Sequence, residues 1–209
     1  MRTDDIEHFT PKELISMAEV TRRVTEVRAF HNSLAEISQH VSNLESRLSK
    51  EQLRKFVETL LKHTRIFAYG AGRSGLVAKA FVQRLNHIEI QAFFIGDTFT
   101  PSFGKEDILV VISGSGDTES TFCFASKAKT MGGKVAVLTA HGESRIAAVG
   151  DYLVLVPGKT RLVETRSVAP FTSLFDVAAL ATLDSVVAEL MRRKGVSEEL
   201  ILRLHASLE

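Results

Sequence analysis

Apolar residues recur along the first quarter of the chain at Leu14, Met17, Val20, Val24, Val27, Phe30, Leu34, Ile37, Val41, Leu44 and Leu48, in steps of three and four. That spacing is close to the 3.5-residue repeat of a helix with one apolar seam. Between Pro11 and Tyr69 there is no glycine, and the only proline is Pro11 at the start. The pattern predicts one unbroken helix of about 35 residues, roughly 50 Å long at 1.5 Å per residue. Such a helix exceeds the width of a small domain, so its seam is expected to pack on another subunit as well as on its own sheet. Ser49, Lys50, Glu51 and Gln52 have the form of a capping box and predict a new helix start.

Near residue 64 the pattern changes to short apolar runs separated by helical stretches. The runs are Arg65–Tyr69, Gln91–Ile95, Ile108–Ile112, Val135–Thr139 and Tyr152–Val156. Several are apolar on both faces, as strands buried on both sides are. Helices are predicted at about 74–86, 118–131 and 143–149, the second stopped by Gly132 and Gly133. Two more follow, one over about 171–194 ending at Gly195, and one from Ser197 with Glu198 and Glu199 in its first turn, where the helix dipole favours them. Strands alternating with helices predict an α/β fold, a five-stranded parallel sheet with right-handed crossovers and helices on its faces. The expected organisation is an N-terminal helical extension, residues 1–63, followed by the α/β domain, residues 64–209.

Composition narrows the function classes. The 209 residues carry 26 Lys and Arg against 25 Asp and Glu, a net charge of +1, which offers no electrostatic footprint for a nucleic acid. Apolar residues make up 44% of the chain, which excludes low-complexity disorder. The single cysteine, Cys123, forms no internal disulfide and no cysteine-based zinc site. It lies between Phe122 and Phe124 and is expected to be a packed thiol. No run approaches the roughly 20 apolar residues of a membrane span, and the acidic start MRTDDIEHFTPKE has no secretory h-region. The expectation is a cytoplasmic protein with no membrane or nucleic-acid partner. No His, Asp and Glu spacing resembles a metal site, and no cofactor is implied.

Candidate chemistry gathers at two strand ends. The first strand runs into Gly70-Ala71-Gly72-Arg73-Ser74-Gly75, and the third into Ser113-Gly114-Ser115-Gly116-Asp117-Thr118-Glu119-Ser120. In a sheet of order 2-1-3-4-5, the flavodoxin-like order, these strands are neighbours whose exits diverge and open a crevice. Each loop also opens a helix, whose free N–H groups suit an anion. Glycine lets those groups approach closely, and hydroxyls add donors without charge, a combination suited to a phosphate monoester. Gly70, Gly72 and Gly75 also match the dinucleotide fingerprint, with Asp97 placed as a ribose-binding acid. Against that reading stand the polar side chains of Arg73 and Ser74 at the helix entrance and the second, hydroxyl-rich loop. The plainest alternative is a pair of tight strand-to-helix turns with no ligand.

The loop ISGSGDTES resembles the phosphosugar-binding signature of the SIS (sugar isomerase) family. Within it, AYGAGRSGLVAKAF, GDTFTP at 96–101, SLFDVAALATLD at 173–184 and the terminal LHASLE are similar to the 6-phospho-3-hexuloisomerases. The resemblance spans residues 65–209. It implies an oligomeric, cofactor-free isomerase interconverting 3-hexulose 6-phosphate and fructose 6-phosphate. Asp97, Asp117 and Asp176 stand where that family usually has Glu, and Thr172-Ser173 replaces its usual Gly-Ser or Gly-Thr. Each Glu-to-Asp difference retracts a carboxylate by one methylene.

Strand ends and resemblance together make Ser74, Ser113, Ser115 and Thr118 the candidate phosphate ligands, with the backbone of Gly72, Gly114 and Gly116. Arg73 and Asp97 are further candidates for substrate contact. Isomerisation through an enediol needs a base to carry a proton between C2 and C3, and a shuttle between the two oxygens. Asp176, Glu119, Glu164 and His205 are the candidates. The resemblance implies Asp176 as base and a neighbouring subunit's copy of His205 at the site, in a homodimer or homotetramer. Glu119 and Glu164 read more readily as solvated side chains, the latter in a charged loop with Arg161 and Arg166. A regulator that senses a sugar phosphate without turning it over, or an isomerase of another sugar phosphate, is the alternative reading. His87 is expected only to close its helix.

Overall fold

The computed structural model describes residues 27–160 and 166–204. At its centre lie five parallel strands, β1 (Arg65–Gly70), β2 (Gln91–Phe94), β3 (Ile108–Ile112), β4 (Lys134–Thr139) and β5 (Tyr152–Leu155), in the order β2-β1-β3-β4-β5. The strands fall within one residue of their predicted ends. All five residues of β3 are buried because both of its faces are covered. Ile108, Val110 and Ile112 face α3 (Lys50–Lys62), α4 (Arg73–His87) and α7 (Ser173–Lys194), together with Ile66, Ala68 and Leu138. Leu109 and Val111 face α5 (Glu119–Thr130) and α6 (Arg145–Val149), with Phe67, Val135 and Val137. The alternation is that of a strand, in which successive side chains point to opposite faces. The chain leaves β1 through α4 on one face and β3 through α5 on the other, so adjacent strands diverge at their C-terminal ends.

The expected single long helix is not what forms. The part of its seam from Leu14 to Val24 lies outside the described residues. The rest is split into α1 (Arg28–Ser42) and α2 (Leu44–Arg47), with Asn43 between them and Leu48 fully extended. Side chains at the break bond to the backbone and to each other: Ser42 donates to the Ser38 carbonyl at 2.8 Å, Ser46 to that of Asn43 at 3.0 Å, and Gln39 to the Asn43 side chain at 3.2 Å. Short polar side chains of this kind offer carbonyls partners outside the helical ladder. The break turns Leu44 into the core, while Val27, Phe30 and Leu34 remain exposed on α1.

Ser49 caps α3, accepting from the Gln52 N–H at 3.3 Å. The reciprocal half of the box is absent. The Gln52 side-chain oxygen Oε1 instead accepts from the Leu155 N–H at 3.0 Å, covering the edge of β5. The last helix, α8 (Glu198–Leu204), follows Gly195, whose φ of +67° ends α7.

Two carboxylates, Asp107 fully buried and Asp151 partly exposed, tie the N-terminal ends of the strands. Asp107 receives both Nε and a terminal nitrogen of Arg65 at 2.8 and 2.6 Å, and the Gly104 N–H at 2.7 Å, joining the starts of β1 and β3. Asp151 accepts from Lys129 at 2.6 Å, Lys134 at 3.2 Å and the Val135 N–H at 2.9 Å, joining α5, β4 and β5. Burial pushes the Asp151 carboxyl up, but the hydrogen bonds from Lys129, Val135 and Lys134 outweigh it and hold the pKa below its ordinary value. A lowered folded pKa means that the stabilisation is present above the unfolded value of about 3.9 and is lost as pH falls through the folded one. Asp151→Asn is therefore expected to lower stability at pH 7 by about 1 kcal/mol, hydrogen bonds to a charged group being discounted for the solvent that screens the part-exposed Lys129 and Lys134. In urea titrations the gap from the parent protein should narrow as pH drops below about 4.

Candidate functional site

Gly70, the last residue of β1, pairs with Ile112, the last of β3, so the two glycine-rich loops leave the sheet side by side. A Cβ on Gly70 would lie 2.6 Å from the Ser74 carbonyl oxygen, and one on Gly75 would lie 2.6 Å from that of Gly70. These two glycines let the strand turn directly into α4. Gly72 begins the helix with φ of +58° and gives it no side-chain cap. Thr118, in the extended geometry of a good cap, does not cap α5; its hydroxyl lies 3.3 Å from that of Ser113. Helices α3 and α6, whose first turns do not line the crevice, are closed by Ser49 and Ser144. The starts of α4 and α5 thus keep N–H groups with no side-chain cap where the chain diverges, the geometry that attracts an anion.

These loops form one side of a cavity of about 330 Å³, with Arg73, Ser74, Ser113, Gly114, Ser115 and Thr118 in its lining. The opposite wall is Thr160, Phe171, Thr172, Phe175 and Asp176. The loops are pressed closely against that wall. A Cβ on Gly114 would stand 3.0 Å from the Phe175 ring and 3.2 Å from the Thr160 methyl. The chain entering α7 is fixed from α1, because one Glu36 oxygen accepts the N–H groups of Val168 and Ala169 at 2.8 and 2.9 Å. Burial pushes the Glu36 carboxyl up, yet the hydrogen bonds from Ala169, Ser167 and Val168 and the charge of Lys159 leave it below the ordinary carboxylate range.

Asp176 is the one carboxylate in the lining among the described residues and is only 4% exposed. Its Oδ1 accepts from the Ser74 hydroxyl at 3.1 Å, and its Oδ2 from Arg73 Nε at 3.0 Å and the Thr172 hydroxyl at 2.8 Å. An ionised carboxylate has about four acceptor positions, so three donors leave room for about one more. A hydroxyl has a single proton, and that of Ser74 is given to Asp176 rather than toward the cavity. The Ser113 hydroxyl accepts the Gly116 N–H at 3.2 Å and that of Ser115 the Asp117 N–H at 3.3 Å, which leaves their protons free of those bonds. Gly116 turns the loop with φ of +65°.

Other sequence candidates lie elsewhere. Asp97 is exposed and pairs with Lys79 at 3.0 Å, outside the cavity lining. Glu119 is exposed and bound by Arg145 at 2.6 Å; that bond, followed by the Cys123 thiol, holds its pKa down. Arg166 is exposed, and Glu164, Arg161 and His205 lie outside the described residues. His87 ends α4. Cys123 is not packed between its phenylalanine neighbours but exposed, because it falls on the outward face of α5 with Glu119 one turn before it. Among the described residues no group of three or more His, Cys, Asp or Glu could hold a metal ion. Sequence reasoning missed Thr160, which sits in the lining with its hydroxyl 2.7 Å from His141 Nε2. Neither residue belongs to a glycine-rich turn, so no local signal marked them. A larger groove of about 730 Å³ between α2, α3 and α7 is mainly apolar and has none of the strand-end loops in its lining.

Residues 59–183 match the model of the SIS domain. The chain is 36% identical over 179 residues to the 3-hexulose-6-phosphate isomerase of Bacillus subtilis, covering 84% of this chain and 97% of that protein. The enzyme of the same name from Methanocaldococcus jannaschii is 33% identical over 159 residues, 76% of this chain and 85% of that protein. Among solved structures, a Methanococcus jannaschii protein whose crystal structure infers a function of 3-hexulose-6-phosphate isomerase superposes with a TM-score of 0.75 at 30% identity, over 84% of this chain and 98% of that one. The Vibrio vulnificus NanR protein, complexed with ManNAc-6P, shares the fold, with a TM-score of 0.68 at 20% identity over 90% of this chain and 71% of that one. The model matches well over half of the chain, the relatives align over most of its length, and the glycine-rich loops fall inside the matched segment: the chain belongs to the SIS domain family.

Proposed function

We propose that this protein is a cofactor-independent sugar-phosphate isomerase of the cytoplasm that interconverts 3-hexulose 6-phosphate and fructose 6-phosphate. The observation that carries the reading is the convergence of two helix starts without side-chain caps and a hydroxyl-rich loop on one cavity with a buried carboxylate in its far wall. The relatives of that name supply the choice of sugar. The phosphate is received by the N–H groups at the starts of α4 and α5, including those about Gly72 and Gly114, and by the hydroxyls of Ser113, Ser115 and Thr118, while the Gly116 N–H stays bonded to Ser113. Ser74 contributes through Asp176, to which its proton is committed. Asp176 is the base. It takes a proton from C2 of the 3-ketose and returns one to C3, through an enediol whose hydroxyl protons are relayed by His205 of a second copy. Arg73, whose Nε donates to Asp176 at 3.0 Å, faces the negative charge that builds on the enediol.

The deciding experiment follows the position of exchange. Fructose 6-phosphate incubated with the protein in D2O should gain deuterium at C3, read by NMR. Label at C1 alone would mark an isomerase forming an aldose, and binding without label would mark a sensor.

Three expectations accompany it. Ser113→Ala and Ser115→Ala should each weaken sugar-phosphate binding by roughly 1.5–3 kcal/mol in calorimetry. Asp176→Asn should abolish most of the exchange while the phosphate loops still bind ligand, a loss in kcat rather than in affinity. The protein should sediment as a dimer or tetramer rather than at 23.0 kDa, because the exposed Val27, Phe30 and Leu34 and the apolar groove beside α2 leave apolar surface that a second copy would cover.

A further inference from the structure

Thr172 has φ of +66° and ψ of −12°, the left-handed region, at the residue that caps α7. A β-branched side chain is poorly suited to this conformation, which is strained for most residues other than glycine. Threonine is also a good helix cap, yet here its hydroxyl makes no capping bond. It donates instead to Asp176 Oδ2, four residues on, at 2.8 Å. The strained turn is held on both sides. Glu36 grips Val168 and Ala169 before it, and the Ser173 and Asp176 N–H groups bond back to the Pro170 and Thr172 carbonyls at 3.1 and 2.9 Å. Left-handed backbone of this kind persists where the surroundings over-determine it, and it gathers at functional sites.

We infer that Thr172 is a positioning residue: its left-handed backbone is kept so that its hydroxyl fixes the Asp176 carboxylate against the cavity. The inference rests on the reading of Asp176 as the base. Arg73 and Ser74 approach the carboxylate from α4, and Thr172 is the donor from its own helix start. Without it, Oδ2 keeps only the Arg73 bond, and Arg73 is itself more than half exposed. The carboxylate is then held at Oδ1 by Ser74 but can turn about that bond with the long Arg73 side chain. A displacement of about 1 Å at a reacting group can cost up to 100-fold in rate.

Three substitutions separate the hydroxyl from the backbone. Thr172→Ser keeps both, Thr172→Ala loses the hydroxyl and keeps the strain, and Thr172→Gly loses the hydroxyl and relieves the strain. Thr172→Gly should melt about 2–4 °C above Thr172→Ala, the shift that corresponds to roughly 1 kcal/mol in a chain of this size. Turnover should rank differently. Thr172→Ser should stay within about twofold of the parent, while the alanine and glycine variants should both lose about tenfold in kcat with KM little changed. A residue with a merely structural role would make activity follow melting temperature, with glycine above alanine. That ordering, or a serine variant as slow as alanine, overturns the inference. If the parent protein exchanges no label, the isomerase reading has failed and the carboxylate itself decides. The 13C carboxyl resonance of Asp176, assigned by its absence in Asp176→Asn, should move in the alanine and glycine variants and hold in serine; an unmoved resonance in all three also overturns it.

Discussion

A carboxylate buried inside a protein has to be met by hydrogen bonds or by an opposite charge, and the site is organised around meeting that demand for Asp176. Its donors come from two directions. Arg73 and Ser74 stand in the first turn of the helix after β1, and Thr172 stands at the start of the long C-terminal helix. Satisfying one side chain therefore fixes the relative placement of α4 and α7, and with it the width of the crevice between them. Gly114 shows how tight that placement is, since Phe175 and Thr160 already occupy the space that a Cβ would need. The phosphate-loop side and the carboxylate side of the cavity are thus parts of one packed unit.

The sheet was legible in the sequence because burial on both faces leaves a plain mark. Ile108–Ile112 is apolar at every position, and all five residues prove buried. The loops after β1 and β3 were legible for a related reason: glycine and hydroxyl residues at the end of an apolar run have few structural uses other than tight turns and ligands. The split at Asn43 was not legible in a periodicity reading, because the apolar seam continues through it. What breaks the helix is polar bonding by Ser42, Ser46 and Gln39, on which a count of apolar positions is silent. Gln52 misled in a similar way. Its spacing from Ser49 suited a capping box, but an edge strand offered its side chain a better partner.

Site residues followed the same division. Of the cavity lining, Arg73, Ser74, Ser113, Gly114, Ser115 and Thr118 could be picked out from spacing, whereas Gly72 and Gly116 of the same turns are not in it. Thr160 and Phe171 could not, since they reach the cavity through tertiary packing, and nothing in their own neighbourhood marks the arrival. Asp97 and Glu119 failed to join the lining for an electrostatic reason: each lies near a strand end, but each has a cation of its own, Lys79 and Arg145, which holds it at the surface.

The helix starts without side-chain caps at the crevice have a consequence for the protein as a whole. Where Ser49 and Ser144 cap α3 and α6 from within the chain, α4 and α5 have no side-chain cap, and on the proposed function the substrate's phosphate would take that place. Such an anion binds the native chain and not the unfolded one, so it shifts the folding equilibrium by mass action. At one hundred times its dissociation constant it adds about 2.7 kcal/mol. On that reading the protein's lifetime in a cell would be coupled to the supply of its own ligand, since chains without it would unfold more often and be the first to meet a protease.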